Sequence, residues 1–324
     1  MIRLLLVAVA SLIVAGSAVA QTSNTAWPDR PIRLLVPFPA GSSTDIIARI
    51  IAQKLGQRLG QQVVIDNRAG ASGNIGADAV AKAAPDGYTI GIATASTHAV
   101  AASLGGNLPY DPIKDFAPVA MIGGQPYVLV LYPDLAARNL AELIALAKAK
   151  PGTLNYGSAG VASLAHLATA LFASMAGVNM IHVPYKSSSQ SVTDMITGRL
   201  DMQFATIAPT LPNIRAGKLR ALATSSTKRV MALPEVPTVA ESGIAGYEAV
   251  LWVSFVAPPA TPPAIIAQLN RETNDILNSA EVKEVLVAQG MEPDPGPPDA
   301  VTRRIRADIE KWRDVVAKAG IRAD

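Results

Sequence analysis

The sequence contains no cysteine among its 324 residues. This absence excludes disulfide bonds, thiol nucleophiles, iron–sulfur clusters and zinc sites built from thiolates. Charged residues are also few, at 16% of the chain, compared with roughly 25% in an average soluble protein. Because hydrophobic residues make up 50% of the sequence, the chain has enough apolar material for a packed core, and the disordered class is excluded.

The net charge limits the possible partners, and the length limits the number of domains. The formal net charge is +3 and no basic run is present, which argues against a nucleic-acid partner. At roughly 100–200 residues per domain, the length predicts about two domains.

The first twenty residues have the three parts of a secretory signal peptide. Arg3 gives a positive start, residues 4–15 are apolar with one exception, and Ala18, Val19 and Ala20 form an A-x-A site. The pattern predicts cleavage after Ala20 and export to the periplasm. The apolar stretch has about a dozen residues, whereas a membrane-spanning helix needs roughly 20. A retained anchor is the alternative, but we expect a mature protein that is not embedded in a membrane and is monomeric.

Short apolar runs alternate with amphipathic stretches along the rest of the chain. Predicted strands lie at residues 32–36, 63–65, 89–93, 128–131, 155–156, 180–183, 202–205 and 219–223, with helices between most of them and three helices at the end. This alternation predicts an α/β fold with doubly wound, mainly parallel sheets. Glycine-rich breaks near Gly123 and near Gly243 predict two interleaved lobes with a ligand cleft between them. We expect one lobe to comprise residues 26–124 plus 248–324, and the other residues 125–247.

Five loops at the carboxyl ends of predicted strands are rich in Gly, Ser, Thr and Asn, at residues 40–44, 67–73, 94–97, 157–160 and 186–189. In doubly wound sheets, ligands bind at this edge, where helix N-termini present free N–H groups and a partial positive charge. Only Arg68 and Lys186 add cations, so the loops suit a small carboxylate better than a polyphosphate. The alternative is that these residues only cap helices and form turns.

Catalytic and nucleotide-binding motifs are missing. The sequence has no P-loop and no G-x-S-x-G motif, and Ser225-x-x-Lys228 lacks the partner motifs of serine β-lactamases. The three histidines are not spaced as metal ligands. Asp45 falls in the first turn of a predicted helix, where capping is the simpler explanation. We therefore expect no enzymatic activity, no cofactor and no metal.

Eight short motifs follow one another from Trp27 onward. They are Trp27-Pro28-x-x-Pro31-Ile32, Val36-Pro37-Phe38-Pro39-Ala40-Gly41-x-x-x-Asp45, Asn67-Arg68-x-Gly70-Ala71-x-Gly73-Asn74-Ile75-Gly76, Pro85-Asp86-Gly87-Tyr88-Thr89, Tyr156-Gly157-Ser158 with Ser163 and His166, His182-Val183-Pro184-Tyr185-Lys186, Gly217-Lys218-Leu219-Arg220-Ala221-Leu222-Ala223, and Pro234-x-Val236-Pro237-Thr238-x-x-Glu241-Ser242-Gly243. In this order and spacing, the sequence resembles the Bug (TctC-type) extracytoplasmic solute-binding receptors of tripartite tricarboxylate transport systems, over nearly the whole mature chain.

The resemblance implies a two-lobed periplasmic-binding-protein fold, of the type II kind, that closes on a small organic carboxylate. It also implies delivery of that ligand to integral-membrane transporter subunits. Together with the loops, it indicates these ligand-binding residues: Phe38, Pro39, Ala40, Gly41, Ser42, Thr44, Asn67, Ala69, Gly70, Ala71, Ser72 and Ser96 from one lobe, and Ser158, Ser163, His166, Tyr185, Lys186 and Ser187 from the other.

Three residues depart from the family pattern. Ser42 and Ser187 stand where glycine is usual, and Ala170 replaces an acidic residue. Since the two serines add hydroxyl groups and bulk near the expected pocket, the ligand is not restricted to the familiar dicarboxylates. Two other functions stay open at this stage: a ligand sensor for a signalling partner, and an exported serine hydrolase that uses Ser158 and His166.

Overall fold

The computed structural model describes residues 27–105, 107–186 and 188–321. The predicted signal peptide with its cleavage site lies outside the described residues, and so does Ser187. Within the described part of the chain, strands and helices alternate as the sequence predicts.

The first strands and helices form a parallel unit. They are β1 (Ile32–Val36), α1 (Ser43–Leu59), β2 (Val63–Asn67), α2 (Asn74–Ala81) and β3 (Thr89–Thr94), followed by a π-helix (Ala95–Val100) and the short α3 (Ala101–Ser103). β1 lies between β2 and β3 and pairs with both in parallel. Its residues Leu34, Leu35 and Val36 are all buried, as expected for a strand that is covered on both faces.

The middle of the chain forms a second group of strands. After the long strand β4 (Ala117–Leu131) come α4 (Leu140–Ala149), β5 (Asn155–Ser158), α5 (Leu164–Ala176), β6 (Ile181–Pro184), α6 (Ser188–Ile196), β7 (Met202–Thr206), α7 (Ile207–Arg215) and β8 (Arg220–Thr224). β5 pairs in parallel with β6 and β7. The last elements are β9 (Val250–Ala257), α8 (Pro263–Asn278), α9 (Ala280–Ala288), β10 (Glu292–Pro293) and α10 (Asp299–Ala319).

Strand β4 connects the two groups of strands. From Ala117 to Pro126 it pairs antiparallel with β9, which in turn pairs antiparallel with β3. From Tyr127 to Leu131 it pairs antiparallel with β7 and β8. The outer strands of each group are therefore parallel, and the strands that cross between the groups run antiparallel to their neighbours.

The C-terminal helices return to the first group of strands. Hydrophobic residues of α8 and α9 share one core cluster with those of α1 and β1. Helix α10 packs against the π-helix, β4 and α5, so it contacts both groups. Among residues 27–105, 107–186 and 188–321, each helix is too short or too polar to span a bilayer.

Four features differ from the sequence-based expectation. β9, the short β10 and the π-helix are not predicted, and β4 is predicted only over residues 128–131. The strand runs through Gly123 and Gly124 instead of breaking there, with a register shift beside them. A Cβ on Gly123 would lie 2.3 Å from the carbonyl oxygen of Glu292. The glycine is thus needed for the close approach of β10 and not for a break in the chain.

Two buried tryptophans allow one buried hydrogen bond to be tested. Trp252 is 2% exposed and its Nε1 donates to Asp308 Oδ2 at 2.7 Å, whereas Trp312 is 0% exposed and its Nε1 has no hydrogen-bond partner. Trp252→Phe should therefore lower the free energy of unfolding by about 1–3 kcal/mol more than Trp312→Phe, because only the first change removes a hydrogen-bond donor from a buried carboxylate oxygen. Urea unfolding measures both losses. Equal losses would mean that this hydrogen bond adds no net stability.

Candidate functional site

A cavity of about 660 Å³ lies where the two groups of strands meet. Loops from both groups form its walls, and residues of β4 and β9 contribute to its lining. The lining residues are 37–44 and 69–73 together with Ser96, Tyr127, Ala159, Gly160, Ser163, Ala165, Lys186, Ser188, Thr206, Pro209 and Leu251.

The N-terminal ends of several helices converge on this cavity. The lining includes residues from the first turns of α1, α6 and the π-helix, and the residues just before α2, α5 and α7. First-turn N–H groups have no carbonyl partner within their own helix, and they carry the positive end of the helix dipole. The wall of the cavity is therefore rich in backbone groups that suit an anion.

The formal charge of the wall is small and positive. Among the described lining residues, Lys186 is the only lysine or arginine, and none is Asp, Glu or His. The remaining side chains are hydroxyls from Ser, Thr and Tyr and apolar groups such as Phe38 and Leu251. The described part of the chain contains no group of three or more His, Asp or Glu residues that could hold a metal ion.

The loop between β1 and α1 is held by Asp45. Ser42 is the N-cap of α1 and accepts from the Asp45 N–H at 3.2 Å. The Asp45 carboxylate accepts from the Gly41 N–H at 2.8 Å and from Asn67 Nδ2 at 2.9 Å. Gly41 has φ of +77°, a conformation that favours glycine. Asp45 therefore does more than cap a helix, because it fixes the turn that lines the cavity.

The electrostatics of Asp45 follow from these contacts. Its side chain is 2% exposed and forms an ion pair with Arg49 at 2.9 Å. Burial by itself raises the pKa of the carboxyl group, but the hydrogen bonds that it accepts outweigh burial, so the pKa lies below its ordinary value. Asp45 is thus ionised at neutral pH.

The loop between β2 and α2 has an unusual backbone. Residues 70–73 all have positive φ values, and two of them, Ala71 at +46° and Ser72 at +55°, are not glycine. Ser72 Oγ donates to the Val161 carbonyl at 3.2 Å. This hydrogen bond joins the β2–α2 loop to the β5–α5 loop on the other side of the cavity.

Most of the predicted binding residues line the cavity. They are Phe38, Pro39, Ala40, Gly41, Ser42, Thr44, Ala69, Gly70, Ala71, Ser72, Ser96, Ser163 and Lys186. Ser187 lies outside the described residues. The loops at the carboxyl ends of the strands are thus brought together as the sequence predicts.

Four predicted residues lie behind the wall instead. Asn67 donates to the Phe38 carbonyl at 3.0 Å and also to Asp45, so it supports the loop between β1 and α1. Tyr185 donates to Asp194 at 2.9 Å, and both burial and this hydrogen bond raise its pKa. Ser158 and His166 support the β5–α5 loop from behind. The polar atoms of these four side chains form hydrogen bonds with neighbouring protein groups. The side chains therefore support the loops and do not line the cavity.

The pair Ser158 and His166, expected for a hydrolase, is not formed. Ser158 Oγ lies 2.7 Å from Nε2 of His182, and Ser158 is fully buried. The His166 Nδ1 accepts from the Ala162 N–H at 3.1 Å instead. A nucleophile must be reachable by its substrate, and Ser158 does not line the cavity.

Several lining residues were not predicted. Tyr127 and Leu251 lie on the crossing strands β4 and β9, outside the five predicted loops. Thr206 ends β7, a strand whose carboxyl end is not among the five predicted loops, whereas Ser188 falls inside the predicted loop at residues 186–189. The same rule applied to β7 indicates Thr206, but no comparable signal indicates Tyr127 or Leu251.

Asp45→Asn tests whether the buried carboxylate holds the loop between β1 and α1. We expect the free energy of unfolding near pH 7 to fall by about 1–3 kcal/mol, because charge-assisted hydrogen bonds of a buried group are weakened. The lowered pKa in the folded state means that this contribution is present above the unfolded pKa and is lost as the pH falls through the folded value. The gap between wild type and variant should therefore narrow on acidification.

Urea unfolding near pH 7 and about pH 3 measures this gap. The matched control is Asp299→Asn, which removes an exposed carboxylate from an i,i+4 pair with Arg303. That change should cost at most about 1 kcal/mol, because Asp299 loses an exposed ion pair and its interaction with the helix N-terminus. An Asp45→Asn variant as stable as the control would show that the carboxylate does not support the loop.

Comparison with known proteins identifies relatives along nearly the whole chain. A family model described as tripartite tricarboxylate transporter family receptor (TctC) matches residues 47–321. The protein BugT of Bordetella pertussis is 42% identical over 321 residues, which cover 99% of this chain and 98% of the relative.

Solved structures agree with this match. R. palustris Rpa4515 with adipate has a TM-score of 0.87 and 39% sequence identity, covering 91% of this chain and 99% of that chain. MatC (Rpa3494) from Rhodopseudomonas palustris with bound malate has a TM-score of 0.82 and 31% identity, covering 90% and 100%. The two-lobed α/β fold of periplasmic solute-binding proteins is therefore confirmed, and the chain belongs to the TctC family of tripartite tricarboxylate transporter receptors.

Proposed function

We propose that this protein is a periplasmic receptor that captures a small organic carboxylate in the cavity and delivers it to a membrane transporter without covalent chemistry. The observation that carries the proposal is the wall of the cavity. Converging helix N-termini and Lys186 offer hydrogen bonds and positive charge, and the described lining residues include no carboxylate that would repel an anion.

The ligand class has independent support from the relatives. Rpa4515 with adipate and MatC with bound malate each carry a dicarboxylate, and both share the fold and the family with this chain. A cavity of about 660 Å³ has room for molecules of this size. Apolar side chains such as Phe38 and Leu251 suit the carbon chain between two carboxylates.

The division into lobes belongs to the same proposal. We assign residues 26–124 and 248–324 to one lobe and residues 125–247 to the other. The change of partners along β4 supports this boundary, because the strand pairs with β9 as far as Pro126 and with β7 and β8 from Tyr127. Bending of β4 and of the return into β9 would open and close the cavity.

Export to the periplasm rests on residues 1–20. Their positive start, apolar run and A-x-A site are typical of a secretory signal peptide. The membership of a transporter receptor family supports the same compartment. We therefore assign the ligand-binding function to a mature chain that begins after Ala20.

Ligand-induced stabilisation tests the proposed function. Protein that has been unfolded, stripped of bound molecules and refolded should be stabilised by adipate, malate or another member of a panel of mono-, di- and tricarboxylates. At about 100 times the dissociation constant, a ligand raises the free energy of unfolding by roughly 2.7 kcal/mol. Thermal unfolding with each compound measures this effect, and the absence of a shift with every carboxylate would contradict the proposal.

A binding experiment compares Lys186→Gln with wild type, using the carboxylate of the panel that stabilises wild type most. Since Lys186 is exposed, loss of its charge should weaken binding by at most roughly fivefold and should reduce the salt dependence of the affinity. The control is Lys148→Gln, an exposed lysine on α4 that does not line the cavity. An equal effect of the two variants would exclude a direct contact between Lys186 and the ligand.

Ser72→Ala tests closure of the lobes. The Ser72–Val161 hydrogen bond joins the two walls, so its loss should lower the ratio of closed to open protein by roughly two- to tenfold. Because the native chain has no cysteine, spin labels can be placed at Lys114→Cys in one lobe and Met231→Cys in the other, both highly exposed. The label–label distances should lengthen in Ser72→Ala.

The control for this measurement is Ser174→Ala in the same labelled protein. Ser174 is an exposed residue of α5 and does not line the cavity. Its variant should give the distances of the wild type. If Ser72→Ala also leaves them unchanged, the Ser72–Val161 contact does not contribute to closure.

A further inference from the structure

The β5–α5 loop, residues 158–163, presents part of its backbone to the cavity and is held from the opposite side. Ala159, Gly160 and Ser163 line the cavity, whereas Ser158, His166 and His182 do not. The polar atoms of these last three side chains contact the loop itself. Each of them can therefore influence the ligand only through the shape of the loop.

The first contact fixes a strained residue. Ala162 has φ of +59°, in the left-handed region that is unfavourable for a residue with a Cβ atom. Its N–H donates to His166 Nδ1 at 3.1 Å. A ring nitrogen that accepts a hydrogen bond carries no proton, so His166 is neutral with its proton on Nε2. A doubly protonated imidazolium could not accept this bond.

The second contact fixes the start of the loop. Ser158 Oγ donates to the Gly160 carbonyl at 2.9 Å and accepts from the Gly160 N–H at 3.2 Å. Nε2 of His182 lies 2.7 Å from the same oxygen. Because a hydroxyl has only one proton, a serine that donates to Gly160 must accept from His182.

The two imidazole rings form one unit. Their centroids are 3.8 Å apart and their planes differ by 10°, and the Tyr156 ring lies on His182 with a centroid distance of 5.0 Å. Burial lowers the pKa of both histidines to about 4, and the neighbouring ring of His182 contributes for His166. The titratable groups in contact with each ring are Tyr156 of β5 and the imidazole of the other histidine. Among the described residues, no charged side chain contributes to the pKa shift of either histidine.

We propose that His166 and His182 are a neutral positioning pair that holds the β5–α5 loop in its ligand-binding shape, with His166 as the acceptor that keeps Ala162 left-handed. Protonation of His166 releases the Ala162 N–H and loosens the loop. The consequence for ligand affinity rests on the proposed function, but the effect on the loop does not, since it is present in the ligand-free protein.

The first experiment compares two variants by amide hydrogen exchange, followed by NMR on ligand-free protein. His166→Leu removes the acceptor, and exchange of the Ala162 amide should become roughly tenfold faster. His166→Asn keeps an acceptor oxygen near the position of Nδ1, so exchange should stay close to that of wild type. His98→Asn is the matched control, because it alters another buried histidine that does not contact this loop.

The second experiment is a pH titration that does not use His166→Leu. The ¹⁵N shift of the Ala162 amide in wild type should titrate with a midpoint near pH 4, the pKa of His166, and the change should be much smaller in His166→Asn, where only His182 of the pair still titrates. A residue that merely fills space would give no such titration. This arm decides the matter even if His166→Leu does not fold.

The third experiment uses whichever carboxylate of the panel binds wild type. His166→Leu should weaken its affinity near pH 7 by roughly tenfold, and His166→Asn should restore it. If no carboxylate binds, the proposed function fails while the exchange and titration results still stand. Unchanged Ala162 exchange in His166→Leu, or an Ala162 amide that does not titrate, would overturn the positioning role.

Discussion

The turn from strand to helix at the carboxyl edge of the parallel strands is the constraint on which the cavity depends. After each parallel strand the chain turns directly into a helix, so the helix N-terminus points to the same edge as the strand end. The cavity collects several of these ends from both lobes. Positive potential therefore comes from backbone N–H groups, and formal charge is hardly needed. This fits a wall in which hydroxyl, glycine and apolar residues predominate and Lys186 is the only lysine or arginine among the described lining residues, in a chain with only 16% charged residues.

The crossing strands impose the second constraint. Two lobes that each carry half of the wall must stay connected without a flexible linker, and β4 meets this need by pairing with both groups of strands. In the proposed opening and closing of the cavity, a continuous strand would restrict the relative motion of the lobes to bending and keep the two halves of the wall aligned. Tyr127 and Leu251 lie on β4 and β9 and also line the cavity. The strands that connect the lobes thus also form part of the cavity wall.

The sequence predicts the α/β alternation, the two lobes and most of the lining residues, because strand, turn and cap signals are local. It does not predict β9, although residues 250–257 are strongly apolar, since a buried strand and a buried helix segment have similar patterns. Position within a loop also does not reveal which side chains face the cavity. Asn67, Ser158, His166 and Tyr185 fall in the right loops, but their polar atoms bind neighbouring protein groups that no local pattern specifies.

The strained residues show how the two walls are kept in shape. Ala71 and Ser72 on one side and Ala162 on the other adopt left-handed conformations that cost energy for residues with a Cβ atom. Such conformations persist only where the surroundings enforce them. Here the enforcing contacts are Ser72 with Val161 across the cavity and Ala162 with His166 behind it. Because the loops are already fixed by protein contacts, a ligand has less backbone freedom to remove when it binds, and more of its interaction energy remains as affinity.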